Sequence, residues 1–282
     1  MKLNMKKGFD TVGSMLRPTF GLFLLGIVFL CVSCNKITPS GIEATTVRNL
    51  DSDYSVIEIR GPFAVESSAK NEDSQIVITS DSNLLPQIET FCIGETLVIR
   101  YKKHTSWKGD VNRAEIILPL RSRLKIVKVL DAGLYKCNEK LSFNEHFEAV
   151  AANASEIKLN SIAGKRIKVS LSGASEFSSE ITSSVLTANL SGASSMTVSG
   201  EVTSCSATLS GASVLNGRDM ADRISFKADS FSANLSGASQ AYLFSDGEIS
   251  GALSGASVIY YQGKAVTGSL SMSGASSVQK YF

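Results

Sequence analysis

The stretch VSLSGASEF, Val169 to Phe177, has a four-residue centre, SGAS, that returns five more times before the chain ends at Phe282. Its glycines are Gly173, Gly192, Gly211, Gly237, Gly255 and Gly274, at steps of 19, 19, 26, 18 and 19 residues. A nucleophile needs one serine held beside one base, so six copies argue against catalysis. The G-x-S-x-G elbow is also missing from them. A period near 19 is the signature of stacked, solenoid architecture.

Counting from each glycine in steps of two tests for β-structure, because successive strand residues face opposite sides. Two before it stand Leu171, Leu190, Leu209, Leu235, Leu253 and Met272; four after it stand Phe177, Met196, Leu215, Ala241, Ile259 and Val278. Every member of both columns is apolar. Four before it the column is mostly small, from Val169 to Leu270, and two after it is always serine, from Ser175 to Ser276. These positions are expected to face inward. The odd positions are polar with one exception, Ala252: serine immediately before each glycine, and Ser170, Asn189, Thr208, Asn234, Ala252 and Ser271 three before.

A two-residue period inside a 19-residue unit means strands joined by corners. Stacked in register, such units give an all-β fold, a parallel β-helix with apolar ladders inside, since no single rung buries its own face. The six glycines are its structural corners, where glycine permits a backbone closed to larger residues and serine hydroxyls bond backbone or the next rung. Asn153 takes the glycine's place one rung earlier, and a weaker rung centres on Asp131. Eight rungs at about 4.8 Å make a rod of about 40 Å. The 26-residue step implies an insertion, the charged NGRDMADR from Asn216 to Arg223.

The chain opens differently. Lys2, Lys6, Lys7 and Arg17 precede the apolar run FGLFLLGIVFL, then CVSC. This reads as an export signal over residues 1–33, too short for a spanning helix of about 20 residues. LCVSC resembles a lipoprotein signal, which makes Cys34 the lipid-attachment residue and the membrane a partner through that anchor. Cys31 departs from the usual leucine, and a plain signal peptide is the alternative. Residues 34–50 read as a tether and 51–125 as an N-terminal β region, either first irregular rungs or a cap; 126–282 carry the SGAS ladder.

Composition narrows the function. Without residues 1–33, which hold four basic residues and one acidic, the chain has 24 basic and 25 acidic residues. A near-neutral protein lacks the basic face of a nucleic-acid binder and the polybasic surface of a peripheral membrane protein. Cys92, Cys137 and Cys205 form no C-x-x-C pair, so neither a disulfide framework nor a zinc site is read from them. His104 and His146 stand alone. No cofactor, metal site or catalytic residue is assigned, and no acidic ladder column gathers three carboxylates of the kind a polysaccharide-cleaving β-helix uses.

Binding has more support. Tyr242 and Tyr260 lie five residues after their glycines on adjacent rungs, with Phe244 near, so their rings are expected to stack outside the rod and suit a sugar. Ladder stiffening, or packing beneath a loop, is the structural alternative for them. Regular T-x-T ladders, as in ice-binding solenoids, are missing.

The order VIEIRGPFAV, SDSNLLPQIET, GETLVIRYKK, AEIILPL and then repeated LSGAS, spanning about residues 54–282, resembles the bacterial family called putative autotransporter adhesin, head GIN domain. The resemblance implies a right-handed parallel β-helix on a secreted or lipid-anchored envelope protein, with no catalytic residues. The resulting expectation is a non-enzymatic outer-membrane lipoprotein that binds a glycan or a host or matrix surface. A polysaccharide-active enzyme and a purely structural envelope protein are the alternatives.

Overall fold

The computed structural model describes residues 36–50, 52–71, 74–109 and 113–281. The export signal and Cys34 lie outside these. The chain is all-β: a 3-10 turn at Leu85–Gln87 is the sole helical element among the described residues.

The ladder follows the sequence columns. Strands Leu134–Ala152, Glu156–Ser172, Glu176–Leu190 and Ser195–Leu209 each pair in parallel with the strand one repeat along. One inward row runs Tyr135, Ile157, Phe177, Met196, Leu215, Ala241, Ile259 and Val278 in register. A second runs Leu171, Leu190, Leu209, Leu235, Leu253 and Met272. Most of these residues are fully buried, each leucine contributing about 1.5–3 kcal/mol. Burial falls along this column at its last rung: Leu253 is 2% exposed, Met272 54%.

A 19-residue period is odd, so the inward alternation must slip once per rung. It slips between Ser183 and Leu186, and between Val202 and Cys205 one rung on. The Ser183 hydroxyl steadies the slip, accepting from the Val185 N–H at 3.2 Å and lying 3.1 Å from the Lys165 carbonyl.

The corners explain SGAS residue by residue. From the second copy on, each alanine N–H donates to the glycine carbonyl one rung earlier, as Ala212 does to Gly192 at 2.8 Å. The second serine points inward and donates to the carbonyl of the first: Ser175 to Ser172, Ser194 to Ser191 and Ser239 to Ser236 at 2.6–2.9 Å, with Ser213 closing on Ser210 likewise. Gly211 has φ +76°, and a Cβ there would stand 2.5 Å from the Gly192 carbonyl oxygen. Earlier, Asn153 and Asp131 take φ +58° and +63°, a conformation that asparagine and aspartate tolerate, and the Asn153 amide donates to Asp131 at 2.9 Å.

The N-terminal region joins the ladder through one pair of strands and changes its pairing beyond them. Val56–Arg60 pairs in parallel with Ile126–Leu130, carrying Ile57 and Ile59 against Val127 and Val129, and on its other side with Thr96–Tyr101. The first rung thus lies between the second and third, out of chain order. Beyond it the pairing turns antiparallel, Ile88–Ile93 against Thr96–Tyr101 and Gln75–Asp81 against Ala114–Pro119. The tether expected over 34–50 is corrected for its second half: Glu43–Asn49 is a strand, antiparallel to Gln75–Asp81. Its Thr-Thr-Val run has β propensity, and a Thr45–Thr79 hydroxyl contact of 2.9 Å joins the pair.

Cys92, Cys137 and Cys205 are free. Burial pushes the Cys137 thiol up to about 11 and that of Cys205 up to about 12, so neither is a thiolate at neutral pH.

Candidate functional site

Three surfaces are built by the ladder. The first is the outward side of the strands leading into SGAS. Ser170, Asn189, Thr208, Asn234, Ala252 and Ser271 stand in one register row, flanked by Thr187, Ser206, Ser232 and Ser250 in the next. Parallel pairing spaces them by about 4.8 Å from rung to rung. The result is an uncharged face of hydroxyls and amides, ended on one side by the Lys168–Glu148 ion pair at 2.9 Å.

The second is the aromatic cluster. Asn216, Tyr242, Tyr260 and Gln279 occupy one row on successive rungs, and the Tyr242 and Tyr260 rings stack at 4.7 Å and 12°. The stacking follows from their spacing. Their expected availability is corrected for Tyr242, which is 8% exposed. The chain leaves the preceding rung at Asn216, and the Arg218 guanidinium lies 3.7 Å from the Tyr242 ring centre, over the face that Tyr260 leaves open. Arg218 is held by Asp222 at 2.7 Å and Asn216 at 2.9 Å, and Tyr281 meets both tyrosine rings edge-on while its hydroxyl donates to Asp222. Burial raises the Tyr242 phenol above its ordinary value. Tyr260 and Phe244 are half-buried.

The insertion is the charged loop read from sequence, and it doubles as the cover. Asp219 accepts from the Arg223 backbone and side chain, which holds its carboxyl below the usual range.

The third surface was missed by sequence reasoning. A cleft of about 550 Å³ opens where four segments distant in sequence turn the same corner, lined by Tyr54, Ser55, Glu95, Arg123, Leu124, Lys125, Phe143 and Glu145 among others. Backbone bonds bring them together: the N–H groups of Ser55 and Val56 donate to the Glu95 carbonyl, and that of Lys125 to Ser55. The Glu95 carboxylate accepts from the Ser55 hydroxyl and lies 3.5 Å from the Lys125 ammonium, which together lower its pKa. His146, also in the lining, stands 3.9 Å from Glu148; exposed His104 lies outside the cleft. No group of three His, Cys, Asp or Glu side chains fit to hold a metal occurs among the described residues.

A family model described as "Putative auto-transporter adhesin, head GIN domain" matches residues 53–265. Among solved structures, a putative adhesin from Parabacteroides merdae aligns with TM-score 0.77 at 16% identity, over 88% of this chain and 99% of that one. A putative lipid binding protein from Parabacteroides distasonis aligns with TM-score 0.74 at 19% identity, over 88% of this chain and 100% of that one. A putative adhesin from Bacteroides fragilis aligns with TM-score 0.62 at 15% identity over 87% and 100%. No curated protein matches the chain. At these identities the structural likeness speaks for the fold.

Proposed function

The chain belongs to the putative auto-transporter adhesin, head GIN domain family, and on that premise we propose that it is a non-enzymatic adhesion or ligand-binding protein of the cell envelope. Its rungs wind as a right-handed parallel β-helix, the hand that parallel crossovers take in nearly all proteins. Cys34 carries the lipid that holds it to the outer membrane. The ligand is a glycan or a host or matrix surface.

The observation that carries the binding reading is the uncharged outward face. Its hydroxyls and amides repeat in register over successive rungs, so a polymer lying along the rod meets the same donors and acceptors at each step. Individually weak contacts then add through multivalency. Across the corner, Tyr260 and Phe244 supply ring surface for stacking.

A glycan and matrix-protein array probed with the full chain is expected to show binding without turnover. Thr208→Arg with Asn234→Arg, two charges set into the face, should weaken that binding at least tenfold while Tm stays within about 4 °C, since each exposed substitution costs about 0.5 kcal/mol or less and a chain of this size loses about 2–4 °C per kcal/mol. Release of shortened polysaccharide would move the protein to the enzyme class, and binding indifferent to both arginines would remove the face from the account.

The anchor has its own assay. Cells grown with labelled palmitate should yield labelled wild-type chain and unlabelled Cys34→Ala; an unlabelled wild type would leave a plain signal peptide.

A further inference from the structure

We propose that the cleft between Phe143 and Arg123 binds a sugar ring bearing a carboxylate, an acidic residue of a surface polysaccharide or glycoconjugate. The inference rests on the binding reading above and names a ligand class and a place for it.

The partners of the cleft's charged groups point to that class. Glu95 is engaged by Ser55 and Lys125. Glu145 turns to Lys165 at 2.7 Å and Arg166 at 3.5 Å, and Asp53 lies 3.2 Å from Arg121. Arg123 is exposed on the rim and has no ion-pair partner among the described residues. Its fork of donors fits a carboxylate in two-point fashion. The floor is apolar: Leu124 is buried, and the half-buried Phe143 ring is stacked on Phe147 at 4.5 Å and 15°. An aromatic ring seated from below presents a rigid apolar plane, to which the C–H face of a sugar is complementary. The Lys125–Glu95 pair supplies a donor and an acceptor to ring hydroxyls. A volume of about 550 Å³ falls in the range of small-molecule sites and suits one or two sugar units.

Calorimetric titration of the full chain with trigalacturonate, sialyllactose and neutral maltotriose tests this. The expected result is binding of one or both acidic sugars, weakening as salt rises, with maltotriose at least tenfold weaker. Which acidic sugar binds identifies the source of the carboxylate. Arg123→Gln, on the exposed rim, should raise the Kd for the acidic sugar at least tenfold and erase its advantage over maltotriose. Phe143→Leu, which keeps the apolar floor, should weaken binding of the acidic sugar several-fold with its advantage over maltotriose intact. Equal affinity for neutral and acidic sugars, or an unchanged Kd in Arg123→Gln, would overturn the assignment. If the chain binds on the array yet ignores both acidic sugars, the cleft assignment fails alone; if it binds nothing in either assay, the binding reading falls with it.

Discussion

Replacing Gly211 by valine is expected to lower Tm by about 10 °C, while Ser210→Ala, one residue earlier in the same motif, leaves it within about 2 °C. Two costs meet at Gly211. A β-branched residue at φ +76° is strained by about 1–3 kcal/mol, and the new Cβ would stand 2.5 Å from the Gly192 carbonyl oxygen, an overpacking of about 1–3 kcal/mol. That oxygen cannot withdraw freely, because it accepts the Ala212 N–H that joins the two rungs. Together the terms come to about 2–6 kcal/mol, at about 2–4 °C per kcal/mol for a chain of this size. The Ser210 hydroxyl, in contrast, points outward; what the corner uses is its backbone, whose carbonyl accepts from Ser213 and whose N–H donates to Leu190, and alanine keeps both. Thermal unfolding of the two variants followed by circular dichroism checks this. A Gly211→Val protein that melts like wild type, beside a Ser210→Ala protein that has lost binding, would make SGAS a site.

The ladder was legible because its chemistry is local and repeated. Parity about each glycine told inward from outward along the SGAS strands, and Asn153 could be placed without a glycine because the apolar residues on either side kept step. The role of the second serine was half legible: sequence allowed a bond to backbone or to the next rung, and the structure uses the backbone carbonyl three residues back. Long-range placement was not legible. Nothing in VIEIRGPFAV says that its rung inserts between two later ones. Parity put Tyr242 outside, correctly, yet parity cannot see a loop fold back and lay Arg218 on the ring. The cleft was invisible for the same reason, since Ser55, Glu95 and Arg123 are ordinary turn residues and Phe143 an ordinary mid-strand residue until the turns are stacked.

The second large effect comes from removing pieces of the ladder. If rungs are interchangeable units, stability is a sum of unit and neighbour terms, and one whole rung can be excised. Deleting Ala193–Gly211 removes nineteen residues and joins Gly192 to Ala212, which restores SGAS and sets Phe177 beneath Leu215 and Leu186 beneath Phe231, apolar on apolar. Deleting only Ala193–Val202 removes half a rung: the strand paired to Phe177 is lost, while the one carrying Cys205, Ala207 and Leu209 has no corner from which to reach its place. Thermal unfolding of the two deletions is the most direct test that the repeat is an architecture of equivalent, stacked rungs. The account predicts a β-rich, cooperatively melting protein for the whole-rung deletion, and loss of cooperative unfolding for the half-rung deletion. A whole-rung deletion that fails to fold, or two deletions that behave alike, would contradict it.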